Sequence, residues 1–323
     1  VHAALAGVTA QPGYPGPRSL EQFELDTLPR ILRQAGYRTA FYAGSHRKFG
    51  GKGDAAESYG FETFTGCPDV ATDIPANEWG VDDARFFLWA RSGPLKSLSA
   101  PHFVTFLNVS NHPPFSAPVD GLWSDEEIPE AVVKRFAGGS REEKCRYAKH
   151  VRYADQELGA MVDWLDATYP GSLFVFFGDH CGTRFRREKS DHVPFILWGA
   201  EVVDAGIDSS RWYGAQMDIP ATLAQLVLPE GSRFRSLGRP VWDDSPGRVS
   251  VGSDHVMAGG GGASGVAPRL LDLGGGDPSG AASPDLPARL KGSALHALSW
   301  AYLNHEPLGA QPTGRTLAAV AQP

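Results

Sequence analysis

Apolar residues recur at two periods along this chain, and their alternation predicts its architecture. Between residues 141 and 168, Tyr147, Val151, Ala154, Leu158, Met161 and Leu165 repeat at spacings of three and four, which places them on one stripe of a long helix. Residues 26–35 predict a shorter helix: Thr27 caps it, Pro29 lies in its first turn, Ile31, Leu32 and Ala35 are apolar, and Gly36 stops it. Residues 77–89, with Val81, Phe86, Phe87 and Trp89, predict another, and residues 218–228 a fourth. Between these lie apolar runs of strand length at 38–43, 102–109 (HFVTFLNV), 173–178 (LFVFFG) and 193–199 (VPFILWG). An unbroken apolar run such as LFVFFG is expected of a strand buried on both faces of a parallel sheet. The alternation predicts an α/β fold, a mostly parallel sheet sandwiched by helices.

Glycine and proline divide the chain further. The first 20 residues are rich in both and read as a loop. Residues 245–287 hold 11 glycines in 43 positions, too little apolar surface to offset the entropy of ordering. The organisation expected is a catalytic domain at 1–235, a flexible Gly-rich linker or insert at 236–287, and a C-terminal helix and tail at 288–323.

Composition narrows the function classes. Of 323 residues, Asp and Glu number 37 against 30 Lys and Arg, so the net charge is −7, the reverse of the basic excess of a general nucleic-acid binder. No apolar run approaches the roughly 18 residues of a membrane-spanning helix. Cys67, Cys145 and Cys181 form no CxxC pair, so neither a zinc knuckle nor a disulfide framework is indicated.

The chemistry-bearing residues cluster at predicted strand ends. Asp179-His180 directly follows LFVFFG and offers a carboxylate oxygen and an imidazole nitrogen, a donor pair for a dication. Its plainer reading is a capping Asp beside an incidental His. His192 lies twelve residues on, and Arg184, Arg186, Arg187 and Lys189 between them form either an anion-binding loop or a solvated surface. Arg184 is the arginine assigned to substrate. His112, in Asn111-His112-Pro113-Pro114-Phe115, either caps a strand or exchanges a proton with a transferring group. His46 and Arg47, in Gly44-Ser45-His46-Arg47-Lys48, are candidate anion contacts or a plain turn. Cys181 lacks an identifiable activating base and is read as a bystander.

These segments, in this order, resemble the sulfatase branch of the alkaline phosphatase superfamily, and within it the lipoteichoic acid synthase type of phosphoglycerol transferase. The likeness is carried by TLPRILRQAGY (27–37), Gly60-Phe61, WGVDD (79–83), NHPPF (111–115), Tyr153-Ala154-Asp155, FGDH (177–180), HVPF (192–195) and DIPATL (218–223), and it covers residues 1–235. The resemblance implies that Asp179 and His180 hold a divalent metal (Mn²⁺, Zn²⁺, Mg²⁺ or Ca²⁺), and that His112 and His192 contact the transferred group. It implies a two-step transfer through a covalent enzyme intermediate formed on a Thr. That Thr falls upstream of the segment at 2–7, and Thr9 does not fit its position. The CxPxR signature of arylsulfatases is absent from the 323 residues. The chain is therefore expected to be an N-terminally truncated piece, inactive alone, of an enzyme at the extracytoplasmic face of the cell membrane. Its expected substrate is an anionic phospholipid headgroup, glycan or sulfate ester, and not nucleic acid. Two other readings stay open: a sulfuric ester hydrolase, and a catalytically inactive anion-binding module.

Overall fold

In a computed structural model, β1 (Arg38–His46) runs through the centre of a three-stranded parallel sheet of order β2-β1-β3, with β2 at Thr63–Cys67 and β3 at His102–Leu107. The structure describes residues 2–8, 26–48, 51–67, 79–136, 138–180, 192–199, 212–243, 202, 209, 245, 248–251, 255–258 and 269–272. Seven consecutive residues of β1 are buried because both faces are covered. Phe41 and Ala43 face Leu5 and Ala6 of α1 (His2–Ala6) and Ala55 and Ala56 of α3 (Lys52–Ser58). Ala40 and Tyr42 face Phe86, Phe87 and Ala90 of α4 (Asp83–Ser92) and Met161 of a long helix. This is the two-sided burial that the run of small and aromatic residues predicts.

The helix α2 (Leu28–Gln34) starts and stops as its sequence predicts: the Thr27 side chain accepts from Arg30 N–H, and Gly36 takes φ +90° after the last turn. A four-residue helix, α5 (Glu130–Val133), precedes α6 (Arg141–Thr168). The bounds of α6 match the expected span, but its buried face does not. Val151 is exposed, and Cys145, Ala148, His150, Tyr153, Ala154 and Met161 are buried. The stripe is rotated because Tyr153 goes inside with its hydroxyl donating to Asp82, and His150 with its Nδ1 against Arg146 O, so apolar spacing alone misplaces the face.

Three further expectations are corrected. Residues 2–6, read as loop, form α1, since His-Ala-Ala-Leu-Ala is rich in strong helix formers and its Ala4 and Leu5 are buried. The strand β4 (Phe174–Phe177) pairs antiparallel with β5 (Phe195–Trp198) instead of adding to a parallel sheet. One face of β4 meets helices: Val175 and Phe177 pack toward α2 and α7 (Ile219–Val227). On the other face Phe174 lies 6.5 Å from Phe176 and 5.0 Å from Trp198, centroid to centroid. Finally, the Gly-rich stretch carries an antiparallel sheet of β6 (Val249–Val251), β7 (His255–Ala258) and β8 (Arg269–Asp272). Val251 and Val256 are buried against Met217, which is the apolar surface that orders it.

The C-terminal helix and tail expected at 288–323 lie outside the described residues. Among those described, no helix is long and apolar enough to cross a membrane.

Candidate functional site

Parallel pairing sends β1 and β3 out at the same sheet edge, where His46, Arg47 and His112 lie. At the end of β1, Ser45 is buried and His46 half-buried, in register with Cys67 of β2. The Arg47 guanidinium pairs with Glu57 and lies 5.1 Å from the Phe64 ring centroid, so its charge is engaged on the flank. The first residue of α3 supplies a different cation: Lys52 Nζ donates to Ser45 Oγ at 3.0 Å. Burial pushes the Lys52 ammonium down from its ordinary range, and the Asp179 carboxylate opposes that shift. Lys52 thus sets a cation at the end of β1, within the field of the Asp179 carboxylate.

The β3 exit is fixed from two sides. Gly80 crosses Gly44 so closely that a Cβ there would lie 1.9 Å from Gly44 O, and Val81 N–H donates to that same carbonyl at 2.9 Å. This crossing places Asp82 and Asp83 at the head of α4. Asp82 caps the helix, accepts from the Tyr153 hydroxyl at 2.6 Å and pairs with Arg85 at 2.9 Å. Asp83 is fully buried and accepts from Asn108 Nδ2 (2.8 Å), Val109 N–H (3.2 Å) and Ser110 N–H (3.1 Å). Burial pushes the Asp83 carboxyl up, and those three donors hold it back in part. On the far side, Arg146 of α6 donates to Pro114 O and Phe115 O, both at 2.9 Å, and the Phe115 ring sits 5.4 Å from Tyr147 and 5.5 Å from His150.

His112 stands on the turn so held. Its Nδ1 lies 2.7 Å from Pro113 O, and because a carbonyl only accepts, Nδ1 carries the hydrogen and Nε2 is the nitrogen left for proton exchange. Trp79 covers the imidazole at 3.9 Å between centroids, with the planes tilted by 38°.

Asp179 and His180 follow β4 directly and are 48% and 66% exposed. His180 Nε2 is 3.7 Å from Asp179 Oδ2, and Asp179 Oδ1 accepts from His180 N–H at 2.9 Å. Two donors at that separation are within reach of one dication with bonds of about 2.1 Å, so this oxygen–nitrogen pair fits a metal. Among the described residues no group of three or more His, Cys, Asp or Glu that could hold a metal ion forms. His192 is exposed at the start of the β5 segment. Antiparallel register opposes Phe177 to Phe195, and Gly178 N–H donates to Pro194 O at 3.3 Å, so His180 and His192 lie at the same end of the β4–β5 pair.

The structure thus places His46 and His112 at the exits of β1 and β3, and Asp179, His180 and His192 at one end of the β4–β5 pair, while Arg47 turns to Glu57. Arg184 and Cys181 lie outside the described residues. Sequence reasoning missed Lys52, Trp79 as a partner of His112, Asp83 and Arg146 as the turn's clamps, and Gln216, which donates to Gly178 O and Asp179 O. WGVDD and the DIPATL segment that follows Gln216 were the signals for some of these. Nothing in the sequence marks Lys52 or Arg146.

Comparison with known proteins gives the same direction. The sulfatase family profile matches residues 2–228. Lipoteichoic acid synthase-like YvgJ of Bacillus subtilis (strain 168) is 26% identical over 225 residues, 63% of this chain and 35% of that protein. Lipoteichoic acid synthase 2 of the same organism is 27% identical over 189 residues, 57% of this chain and 27% of its own length. The chain thus spans about a third or less of the curated relatives it matches. The crystal structure of the lipoteichoic acid synthase LtaP from Listeria monocytogenes superposes over 95% of this chain and 80% of its own, with TM-score 0.67 and 17% identity. An alkaline phosphatase superfamily protein from Vibrio parahaemolyticus does so over 94% and 74%, with TM-score 0.61. At such identities these two show a shared fold.

Proposed function

The chain belongs to the sulfatase family, and on that premise we propose that it is part of a metal-dependent enzyme that transfers the phosphoglycerol group of an anionic lipid headgroup to an acceptor hydroxyl. The observation that carries this reading is the donor pair Asp179-His180 at the end of β4, with His192 at the same end of the β4–β5 pair. At the exits of β1 and β3, the Gly44–Gly80 crossing holds His112's loop and Lys52 donates to Ser45. The names of the two Bacillus relatives favour phosphoglycerol chemistry over sulfate esters.

In this reading Asp179 and His180 hold the dication, Mn²⁺ or Zn²⁺ before Mg²⁺ or Ca²⁺, because one ligand is an imidazole. When bound, that ion neutralises charge on the phosphoryl oxygens and lowers the pKa of a hydroxyl nucleophile. The protein's own groups do the rest. Lys52 adds a half-buried positive charge for the anionic ester. His112, with Nδ1–H committed to Pro113 O, gives or takes a proton at Nε2 as the bond from phosphorus to the leaving oxygen breaks. His192 contacts the transferred group from the β5 side. His46 and Arg47 flank the site, and Arg184 completes its basic loop. The substrate places the enzyme at the extracytoplasmic face of the cell membrane, with a lipid or glycan acceptor.

The test is turnover by the full-length protein of a phosphatidylglycerol headgroup analogue and of an aryl sulfate, with and without chelator. The expected result is release from the phosphodiester that chelator abolishes and Mn²⁺ restores. Turnover of the sulfate alone would instead establish a sulfuric ester hydrolase. No turnover and no bound metal would leave an anion-binding module.

A further inference from the structure

Gln216 directs its amide at the backbone that carries the proposed metal pair. Its Nε2 lies 2.7 Å from Gly178 O and 2.7 Å from Asp179 O. A side-chain amide has two hydrogens, so both bonds form at once. β4 ends at Phe177, and these two carbonyls therefore lie beyond its ladder with β5. The same peptide segment sets where the half-exposed side chains of Asp179 and His180 point.

The support behind Gln216 is rigid. It opens a 3-10 turn (Gln216–Asp218) whose other two residues, Met217 and Asp218, are 1% and 2% exposed. Asp218 Oδ1 accepts from Arg239 N–H at 2.9 Å, and Oδ2 accepts from Ala215 N–H at 2.9 Å and from the Ser250 hydroxyl. Arg248 completes the cluster, with Nη2 3.5 Å from Asp218 Oδ2 and its guanidinium 4.4 Å from the Tyr213 ring centroid. Arg248 and Ser250 lie beyond residue 228, where the family match ends.

We propose that Gln216 is a positioning residue for Asp179 and His180, anchored through Asp218 by the β6 segment; this rests on reading that pair as metal ligands. A pair of adjacent side chains binds a dication tightly only if its backbone is held in one orientation, and outer hydrogen bonds of this kind supply that hold. Stability is not what the contact contributes. Two neutral hydrogen bonds gain about what ordering a long glutamine side chain loses.

The experiment titrates Mn²⁺ into the full-length protein by electron paramagnetic resonance, and follows amide exchange at residues 178–180 without metal. Gln216→Glu keeps the shape but, when ionised, has no hydrogens to donate; Gln216→Leu removes polarity altogether. Both are expected to weaken Mn²⁺ binding roughly 10- to 100-fold and to speed local exchange, with Tm within about 2 °C of wild type. Asp179→Ala is expected to abolish binding. If the Gln216 variants bind like wild type while Asp179→Ala does not, the positioning role is wrong and the metal reading stands. A loss of affinity accompanied by a general fall in Tm also overturns it, since that is what a merely structural residue would give. If wild type binds no Mn²⁺, or Asp179→Ala leaves it bound, the metal reading falls and takes the role of Gln216 with it.

Discussion

Asp83 and Ser110 exchange two hydrogen bonds: Asp83 N–H donates to Ser110 Oγ at 2.9 Å, and Ser110 N–H donates to Asp83 Oδ1 at 3.1 Å. The first turn of α4 is thereby locked to the exit of β3, two residues before His112. The carboxylate does this while buried, which raises its pKa. Asp83→Asn keeps the acceptor oxygen, and a flip of the Asn108 amide matches the new NH₂ group. It is expected to change unfolding free energy by no more than about 1 kcal/mol at pH 7, whereas Asp83→Ala strands several buried donors and costs roughly 3 kcal/mol. The folded pKa lies above the unfolded one, so the wild type gains on Asp83→Asn as pH falls through the folded value, and the difference levels off below the unfolded value of about 4. Urea titrations of both proteins from neutral pH to pH 4 check this, and a pH-independent difference would refute it.

Arg146 holds the same turn from outside, through Pro114 O and Phe115 O. Its removal frees the loop that orients His112 without emptying any core. Arg146→Ala is expected to lower kcat about tenfold through misorientation and to cost only about 1 kcal/mol of stability. Steady-state kinetics with a melting curve separate the two effects.

Gly80 has φ +145° and no room for a Cβ beside Gly44 O. Gly80→Ala combines overpacking with backbone strain and is expected to cost roughly 2–5 kcal/mol. Differential scanning calorimetry reads it directly. Gly93→Ala, where a Cβ meets nothing within 4 Å, serves as the control and is expected to be nearly silent.

Arg248 is the charge partner of Asp218, and both are buried. Arg248→Met leaves the carboxylate without its cation and is expected to cost about 3–5 kcal/mol, measured by the urea midpoint at pH 7. Because Asp218 is already pushed up by burial, losing the guanidinium raises its pKa further and makes the variant relatively more stable as pH falls.

Asp179→Ala and His180→Ala should each remove stoichiometric Mn²⁺ from the full-length protein, read by equilibrium dialysis. The metal-dependent part of turnover should disappear with it. Retention of the ion in both variants moves the metal site elsewhere.

Much of the fold was legible because its signals are local. Thr27, Pro29 and Gly36 write the ends of α2 into the sequence, and the bounds of α6 follow from a pattern that repeats for 28 residues. Asp179-His180 announced itself by sitting at the end of an apolar strand. The rotation of α6 was not legible, because Tyr153 and His150 count as polar in any pattern until their partners, Asp82 and the Arg146 carbonyl, are known. Lys52 was hidden for a similar reason: a lysine at a helix start is ordinary, and only the fold shows that it reaches Ser45.

His192 marks the boundary between the two kinds of knowledge. The sequence by itself determined the α/β class, the strands and the residue types fit for a dication and an anionic ester, since propensity, capping and hydrophobic period depend on neighbours along the chain. Only the tertiary structure decided which of those residues share an edge. A histidine just before a parallel β5 would lie at the edge opposite His180, and antiparallel pairing brings it to the same one. Strand direction is set by which surfaces bury each other across the fold, here the face of Val175 and Phe177 against α2 and α7 and the aromatic face of Phe174 and Trp198. No local pattern encodes that choice.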